Sequence, residues 1–299
     1  MRKFCCAALL ALAACSAHPP ASLKTASIAD REPPQITRYM PQPAILVFSK
    51  TLGWRHNEGI AGADRFFADL ATDRGMGLFT TVNSAVFSDA QLARFRIVVF
   101  NNMTGDALTP AQESAFQRWL MNGGALIALH SSGDDSHRDW HWYDDAMIGP
   151  EFVGHPADPQ FQEARVVNLA KAHPVMRGIP EDWRITDEWY SFDDSGKLGD
   201  AVALLGLDES TYSPENLLYG PREDLRMGGG PARHPIAWIR CPGTGRLFYS
   251  AIGHSHTSYD DPVYRRLLTN AVDWVQDTDQ GMVGCPVSSR SEEGPKWRE

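Results

Sequence analysis

Three short apolar runs constrain the fold of this chain most. Each has the length of a strand and lacks alternating polar positions, which is typical of strands buried on both faces of a sheet. The runs are Ala44–Phe48, 97–100 and Ala125–Leu129. Apolar residues at helical spacing lie between them, over 59–74 and again behind Thr109 and Pro110, which suit a helix start. Strands that alternate with helices predict a mostly parallel sheet covered by helices.

The second half of the chain is less regular but extends the same domain. We predict further strands and a closing helix, at 78–82, 164–169, 201–207, 236–240, 247–251 and 262–276. The chain shows no internal repeat of the kind that builds solenoids. We therefore predict one α/β domain over residues 43–276.

The first residues are typical of an export signal. Met1-Arg2-Lys3 form a charged start, and the apolar run 4–14 that follows is too short for a membrane span of about 20 residues. The run ends Leu-Ala-Ala-Cys and resembles the lipobox of bacterial lipoproteins, in which Cys15 is lipidated. Ordinary secretion with cleavage at another small residue is the alternative. We predict a signal peptide over 1–14 and an extracytoplasmic, periplasm-facing lipoprotein tethered to the outer membrane through Cys15.

Two further segments differ from the domain in composition. Residues 15–42 are rich in proline and predict a flexible tether, and residues 277–299 predict a flexible tail. Beyond Cys15, the remaining cysteines are Cys241 and Cys285. In an oxidising compartment they could form a disulfide or stay as free thiols. We expect both to lie away from the edge of the sheet at which the parallel strands end, so we expect no cysteine nucleophile.

The charge of the chain excludes one class of partner. It has 28 Lys and Arg against 37 Asp and Glu, a formal charge of −9, and no basic run, whereas a binder of duplex nucleic acid needs Lys and Arg against the phosphates. The chain also lacks a phosphate loop and a dinucleotide fingerprint, so we expect no nucleotide cofactor. We interpret the three glycines at 228–230 as a flexible flap.

Histidines follow several of the predicted strands. His56 comes after the first apolar run, His130 directly after the third, and His254 and His256 after the strand at 247–251. Because ligands of open parallel sheets bind outside the carboxyl ends of the strands, we expect these side chains to meet at one edge. In an extended segment, His254 and His256 would face the same way and could share a metal or a substrate.

The remaining polar candidates favour plainer interpretations, with one exception. His137 and His141 lie in a polar loop with Asp134 and Asp135, and we expect all four side chains to be solvated. His155 ends a loop that could fold over the carboxyl edge of the sheet. It therefore joins the candidate site.

The acidic pair Asp187-Glu188 is followed by Trp189-Tyr190. Aromatic rings stack on the apolar faces of sugars, and carboxylates accept hydrogen bonds from their hydroxyl groups. Burial and the neighbouring charge would raise the pKa of such a carboxyl toward that of a general base. The alternative is an exposed acidic turn beside two core aromatics.

Several segments together resemble the ThuA-like family, named for trehalose utilisation and related in fold to the class I glutamine amidotransferases. The segments are FSKTLGWRH, GGALIALHSSGD, WYDDAMIGPEFVGHP, DEWYSF and HPIAWIRCPGTGRLFYSAIGHS. The resemblance covers about 44–276 and implies a flavodoxin-like three-layer sandwich. It also implies a site built from the recurring polar positions of these segments, which are His56, His130, His155, Glu188 and His254.

The resemblance also bears on the reaction. Amidotransferases carry a cysteine nucleophile after the strand that precedes His130, and here His130-Ser131 stand at that place, so we expect no amide hydrolysis. Members of the family are linked to keto-sugars and 3-keto-glycosides. An enzyme for such substrates would remove a proton next to the carbonyl, by isomerisation or lytic cleavage, with a small-molecule carbohydrate as its partner.

Two hypotheses from different classes result. The first is an enzyme that binds a divalent metal, zinc by preference. Its catalytic residues would be Glu188, Asp187 and His130, and its metal ligands would be His130, His155 and His254. Its substrate contacts would be His56, Arg55, Trp189, Tyr190 and His256. The second is a non-catalytic carbohydrate-binding lipoprotein of the envelope, in which the same edge of the sheet only holds a glycan.

Overall fold

The structure, a computed structural model, describes residues 30–216, 223–277 and 284–285. The predicted signal peptide, Cys15 and most of the predicted tail lie outside these residues. Within the part that is described, no helix is both long enough and apolar enough to cross a membrane.

Thirteen strands and four α-helices are formed by the described residues. The strands are β1 (Ala44–Phe48), β2 (Gly77–Thr81), β3 (Ile97–Asn101), β4 (Ala125–Leu129), β5 (Phe152–Gly154), β6 (Phe161–Asn168), β7 (Asp182–Glu188), β8 (Ser191–Phe192), β9 (Val202–Asp208), β10 (Glu215–Asn216), β11 (Glu223–Asp224), β12 (Pro235–Arg240) and β13 (Arg246–Ser250). The helices are α1 (Asn57–Arg74), α2 (Asp89–Leu92), α3 (Pro110–Met121) and α4 (Pro262–Gln276). The main elements predicted from the sequence are therefore present, with ends that differ by up to three residues.

Nine strands form the central sheet, in the order β2-β1-β3-β4-β13-β12-β9-β6-β7. The pairs from β2 to β13 are parallel, and those from β13 to β7 are antiparallel. The parallel half has the strand order of flavodoxin-like folds. The expected α/β fold is confirmed, and the sheet is mixed because the second half of the chain joins neighbouring strands without crossover helices.

The direction of side chains along β3 shows how the layers are arranged. The Asn101 amide points to one face and donates to Ile60 O of α1 at 3.1 Å. The ring of Phe100 lies 4.9 Å from that of Phe116 in α3. Because neighbouring residues of a strand project to opposite faces, α1 and α3 cover opposite faces of the sheet. Ion pairs join α4 to α1 on the first face.

The edge strand β7 is the main element that the sequence analysis did not predict. Its buried Trp183 and Ile185 alternate with exposed polar residues, which is the pattern of a strand with one face on the core. This alternation was the signal available in the sequence. The strand matters because its last two residues are Asp187 and Glu188.

The segment 30–42, predicted as part of a tether, packs on the domain. Asp30 is buried and forms an ion pair with Lys50. Arg94 donates to Ile36 O at 2.9 Å, and the Gln42 amide donates to Arg94 O at 3.2 Å. These contacts fix the chain from Asp30 onward, so the tether prediction is wrong for this part.

The two late cysteines form a disulfide. Cys241 follows β12, Cys285 lies beyond α4, and their Cα atoms are 5.9 Å apart. The alternative of two free thiols is therefore excluded. The bond holds the end of the described chain near His173, whose Nε2 lies 3.0 Å from Gly284 O.

We expect loss of this disulfide to destabilise the domain. The bond closes a loop of 44 residues, and replacing both cysteines by serine should lower the free energy of unfolding by about 2–4 kcal/mol. Urea unfolding of wild type and of the double variant, with and without reductant, measures this. Reductant should destabilise the wild type alone. Equal stability of the wild type and the double variant without reductant would contradict the expectation.

Candidate functional site

Three histidines meet at the carboxyl edge of the parallel strands, as the sequence predicts. His56 precedes α1, His130 follows β4, and His254 follows β13. The ring centroids are 4.8 Å apart for His56 and His130, 4.6 Å for His56 and His254, and 5.2 Å for His130 and His254. Three segments that are far apart in sequence thus bring their imidazoles into contact at one place.

The Glu188 carboxylate completes this group from the end of β7. Its Oε2 lies 3.0 Å from His254 Nδ1 and 3.2 Å from His130 Nε2. Its Oε1 accepts a hydrogen bond from the Gln160 amide at 2.6 Å and lies 3.2 Å from His155 Nδ1. We call His56, His130, Glu188 and His254 the histidine–glutamate cluster; one ligand atom from each lies within 4.8 Å of the others.

The pKa of Glu188 is shifted in the direction opposite to that predicted from the sequence. Burial alone would raise its pKa, but the contacts from His130 and His254 and the nearby His155 outweigh it and lower the pKa of the carboxyl. Burial would also lower the pKa of His130, yet the Glu188 carboxylate outweighs that and raises it. Glu188 is therefore held as an anion and is a weak proton acceptor.

His56 is held neutral. Burial and, next, the neighbouring His130 and His254 lower its pKa to about 2. Within the described residues its Nδ1 is buried without a hydrogen-bond partner, and so is His130 Nε2, which lies near Glu188 without the alignment of a hydrogen bond. A buried polar atom without a hydrogen-bond partner lowers the stability of the fold. A ligand bound between these two nitrogens would give both a partner.

The backbone around His130 fixes the direction of its ring. The residue has φ +48°, a left-handed conformation that is unfavourable for side chains other than glycine. Its Nδ1 donates to Ala251 O at 2.7 Å, which turns Nε2 toward the cluster. Such a carbonyl contact is the usual way in which a protein orients a metal-binding histidine.

Asp187 positions a loop rather than facing the site. It is buried, and it accepts hydrogen bonds from Gly253 N at 2.8 Å, His254 N at 3.1 Å and Ser258 Oγ at 2.7 Å. A carboxylate whose oxygens are engaged by the protein in this way is not free to act on a substrate. The catalytic role predicted for Asp187 is replaced by a positioning role for His254.

The aromatic pair that follows is buried, contrary to the sugar-stacking interpretation. Trp189 lies in the core, where its indole donates to Gln162 O at 2.8 Å. Tyr190 is also buried, and its ring lies 4.3 Å from that of His130. Tyr190 therefore forms the wall behind His130, and neither ring offers an open face to a sugar.

The other predicted residues fall at different distances from the cluster. His155 is 27% exposed and contacts Glu188 at the surface of the site. His256 is half-exposed, and its Nδ1 lies 3.1 Å from Glu58 Oε2. Because the chain turns after His254, His254 and His256 do not face the same way. Arg55 is exposed and donates to Asn57 Oδ1 at 2.9 Å.

Two of the residues expected to be solvated are in fact largely covered. His137 is buried, and its Nδ1 lies 3.0 Å from Gly105 O. Asp134 accepts hydrogen bonds from Ser136. His141 is exposed, as expected. The sequence analysis also missed Gln160, for which no motif or spacing gave a signal.

Another buried histidine, His234, supports the wall that Tyr190 forms behind His130. His234 lies 2.7 Å from Glu209 Oε1 through Nδ1 and 2.8 Å from Tyr190 O through Nε2. The Glu209 carboxylate also accepts from Met227 N and Gly228 N. The glycine segment 228–230 is therefore anchored at its first residue.

Comparisons with known proteins agree with this geometry. The model of the ThuA family, described as trehalose utilisation, matches residues 44–275. The chain belongs to the ThuA family. A ThuA-like protein from Bacteroides uniformis is 23% identical, with a TM-score of 0.65 over 81% of this chain and 94% of that one. One from Parabacteroides merdae is 15% identical, with a TM-score of 0.59 over 79% and 90%. No curated protein matches the chain.

These comparisons establish the family and the fold. The two solved relatives share the fold with this ThuA chain at low identity. The histidine–glutamate cluster lies within the matched residues 44–275. What the cluster does is a separate question.

We expect Asp187→Asn to destabilise this ThuA domain. An amide in place of the carboxylate turns an N–H group toward backbone donors, which should cost about 2 kcal/mol or more in the free energy of unfolding. Urea unfolding measures the change. Asp145→Asn, at a largely exposed carboxylate, is the control and should change stability by less than about 0.5 kcal/mol; equal effects would contradict the positioning role.

Proposed function

We propose that this ThuA protein is an enzyme of carbohydrate metabolism that acts on a keto-sugar or 3-keto-glycoside by proton abstraction. The observation that carries the proposal is the convergence of His56, His130 and His254 with an ionised Glu188 at the carboxyl edge of the sheet. In α/β folds of this kind, that edge is where ligands bind. The family description, trehalose utilisation, supplies the substrate class.

We further propose that the cluster binds a divalent metal ion, zinc by preference. Zinc is commonly held by imidazole and carboxylate ligands at about 2.0–2.2 Å, which keeps ligand atoms within about 4.4 Å of one another, so the observed 4.8 Å limit requires only small side-chain movements. The unpaired Nδ1 of His56 and Nε2 of His130 fit this use. Compared with the metal ligands predicted from the sequence, this set has His56 in place of His155 and adds Glu188.

A metal at this place would polarise a substrate carbonyl and stabilise an enediolate oxygen. Glu188, held ionised, would serve as a ligand and as the partner that orients His155 through Oε1. His155 is more exposed than His130 and His254. We therefore assign the proton transfer to His155 rather than to Glu188, because an imidazole that contacts a carboxylate is a common general base.

The step can be written for a 3-keto-glycoside. The proton on the carbon between the carbonyl and the glycosidic carbon moves to His155. Its electron pair forms a double bond to the glycosidic carbon, the glycosidic C–O bond breaks, and the leaving oxygen takes up the proton that His155 received. In the isomerisation of a free keto-sugar, that proton returns instead to the former carbonyl carbon, while the hydroxyl proton of the carbon that lost it moves to the former carbonyl oxygen.

One observation favours the second candidate function, a carbohydrate-binding protein without catalysis. Both oxygens of Glu188 already have protein partners, which is also the arrangement of a purely structural buried carboxylate. In that case the edge would hold a glycan without turnover. Detection of any product separates the two functions.

We also propose that the protein works outside the cytoplasm, anchored through Cys15. The charged start and short apolar run support export. The disulfide between Cys241 and Cys285 supports it as well, because such bonds persist in oxidising compartments. Labelling with a radioactive fatty acid, compared between wild type and Cys15→Ala, tests the anchor.

Metal content tests the cluster directly. After incubation with excess Zn²⁺ and desalting, we expect about one equivalent of zinc in wild type by mass spectrometry, and a loss of at least about 90% in His56→Ala and His254→Ala, since each removes one ligand. His141→Ala, at an exposed histidine, should retain the metal. A wild type without bound zinc would contradict the proposed centre.

Turnover tests the proton transfer. With 3-ketotrehalose as substrate, His155→Ala should lower kcat by about 10²–10⁴-fold, the usual contribution of a general base, while zinc content stays unchanged. Glu188→Gln should lose both zinc and activity. His141→Ala is again the control. If His155→Ala were as active as wild type, the proton would have to move to another group.

A further inference from the structure

Exposed apolar side chains occur in the two segments that carry His56 and His155. Among the described residues, the large hydrophobic side chains that are exposed are Tyr39, Leu52, Trp54, Val82, Val153 and Phe161. Four of these six belong to two segments, 52–56 and 153–161, which also carry His56 and His155. Exposed apolar groups in segments next to a site are candidates for contacts to its ligand.

Phe161 has a fixed place next to the cluster. It is the first residue of β6, pairs with Glu188 across the ladder, and its ring lies 4.9 Å from that of His254, nearly perpendicular to it. The preceding Gln160 is fixed by its hydrogen bond to Glu188. The ring is nevertheless 41% exposed. It therefore presents an open surface directly beside His254, a member of the cluster.

Trp54 is held by a well-ordered loop although it is 75% exposed. Its carbonyl accepts a hydrogen bond from Thr104 Oγ1 at 3.1 Å, and Thr104 Oγ1 in turn accepts one from Gly53 N at 3.1 Å. Leu52 N also donates to Thr104 O at 2.8 Å. The loop is thus fastened to the chain after β3, two residues before His56. A tryptophan displayed on a fixed backbone binds with little loss of conformational entropy.

We infer that Trp54 and Phe161 form an aromatic platform that holds a second sugar ring of the substrate outside the cluster. The inference rests on the proposed function and specifies its substrate as a disaccharide-type glycoside rather than a free monosaccharide. The C–H face of a pyranose is apolar and stacks on an aromatic ring, whereas its hydroxyl groups stay in water. The buried pair Trp189 and Tyr190 cannot take this role.

The placement explains why a second ring is needed. The cluster itself is almost fully buried, so only the reacting part of a substrate could contact it. Binding energy from the non-reacting ring can then be used to place the reacting carbonyl, a general property of enzymes that act on extended substrates. Removing the platform should therefore weaken the use of a disaccharide more than that of a monosaccharide.

Steady-state kinetics of the zinc-loaded protein test the platform. With 3-ketotrehalose, Trp54→Ala and Phe161→Ala should each raise KM by about tenfold, as expected for the loss of one aromatic contact. With free 3-ketoglucose the same variants should stay within about twofold of wild type. The conservative variants Trp54→Phe and Phe161→Tyr keep a ring and should restore most of the difference.

Tyr39→Ala is the matched control. Tyr39 is 76% exposed but lies before β1, at the opposite edge of the parallel strands, so its removal should change neither KM. Urea unfolding of all variants shows whether they fold. Unchanged KM values for the disaccharide in folded Trp54→Ala and Phe161→Ala, or equal increases for both sugars, would overturn the platform.

Calorimetric binding of 3-ketotrehalose separates this inference from the catalytic proposal. If wild type binds the sugar without turnover, and both alanine variants bind about tenfold more weakly, the platform stands and the catalytic proposal falls. If wild type turns the sugar over and the variants bind it as wild type does, only the platform falls. A wild type that neither binds nor converts the sugar overturns both.

Discussion

The buried carboxylate of Glu188 is the point on which the rest of the structure depends. An ionised carboxylate in the interior is stable only when several partners replace its hydration. Here the partners come from the chain after β4, the chain after β13 and the loop before β6, through His130, His254, His155 and Gln160. One negative charge thus gathers segments that are far apart in sequence, and their imidazoles share its field.

This requirement also shapes the sheet. Glu188 ends β7, at the outer edge of the antiparallel half, five strands away from β4. In a flat sheet, five spacings of about 4.8 Å would separate them by about 24 Å, yet the side chains of Glu188 and His130 approach to 3.2 Å. The sheet must coil in the direction of its natural twist. Asp187 strengthens the closure by binding the backbone at Gly253 and His254.

The cluster also bears on the chemistry that is open to the residue after β4. His130 has the strained backbone of a residue presented at a strand end, but its ring is fixed between Ala251 O and Glu188. A ring that is oriented through Nδ1, with Nε2 turned toward a carboxylate, is suited to binding an ion or holding a proton, and not to attacking a substrate.

The sequence by itself determined the parallel half of the fold, because apolar runs such as Ala125–Leu129 can be buried only between helices. It also placed His56, His130 and His254 at one edge, since parallel strands all end there. Only the tertiary structure decided which side chains face each other. The sequence could not show that Glu188 would be ionised or that Trp189 would be buried, because pKa and exposure depend on neighbours supplied by distant strands.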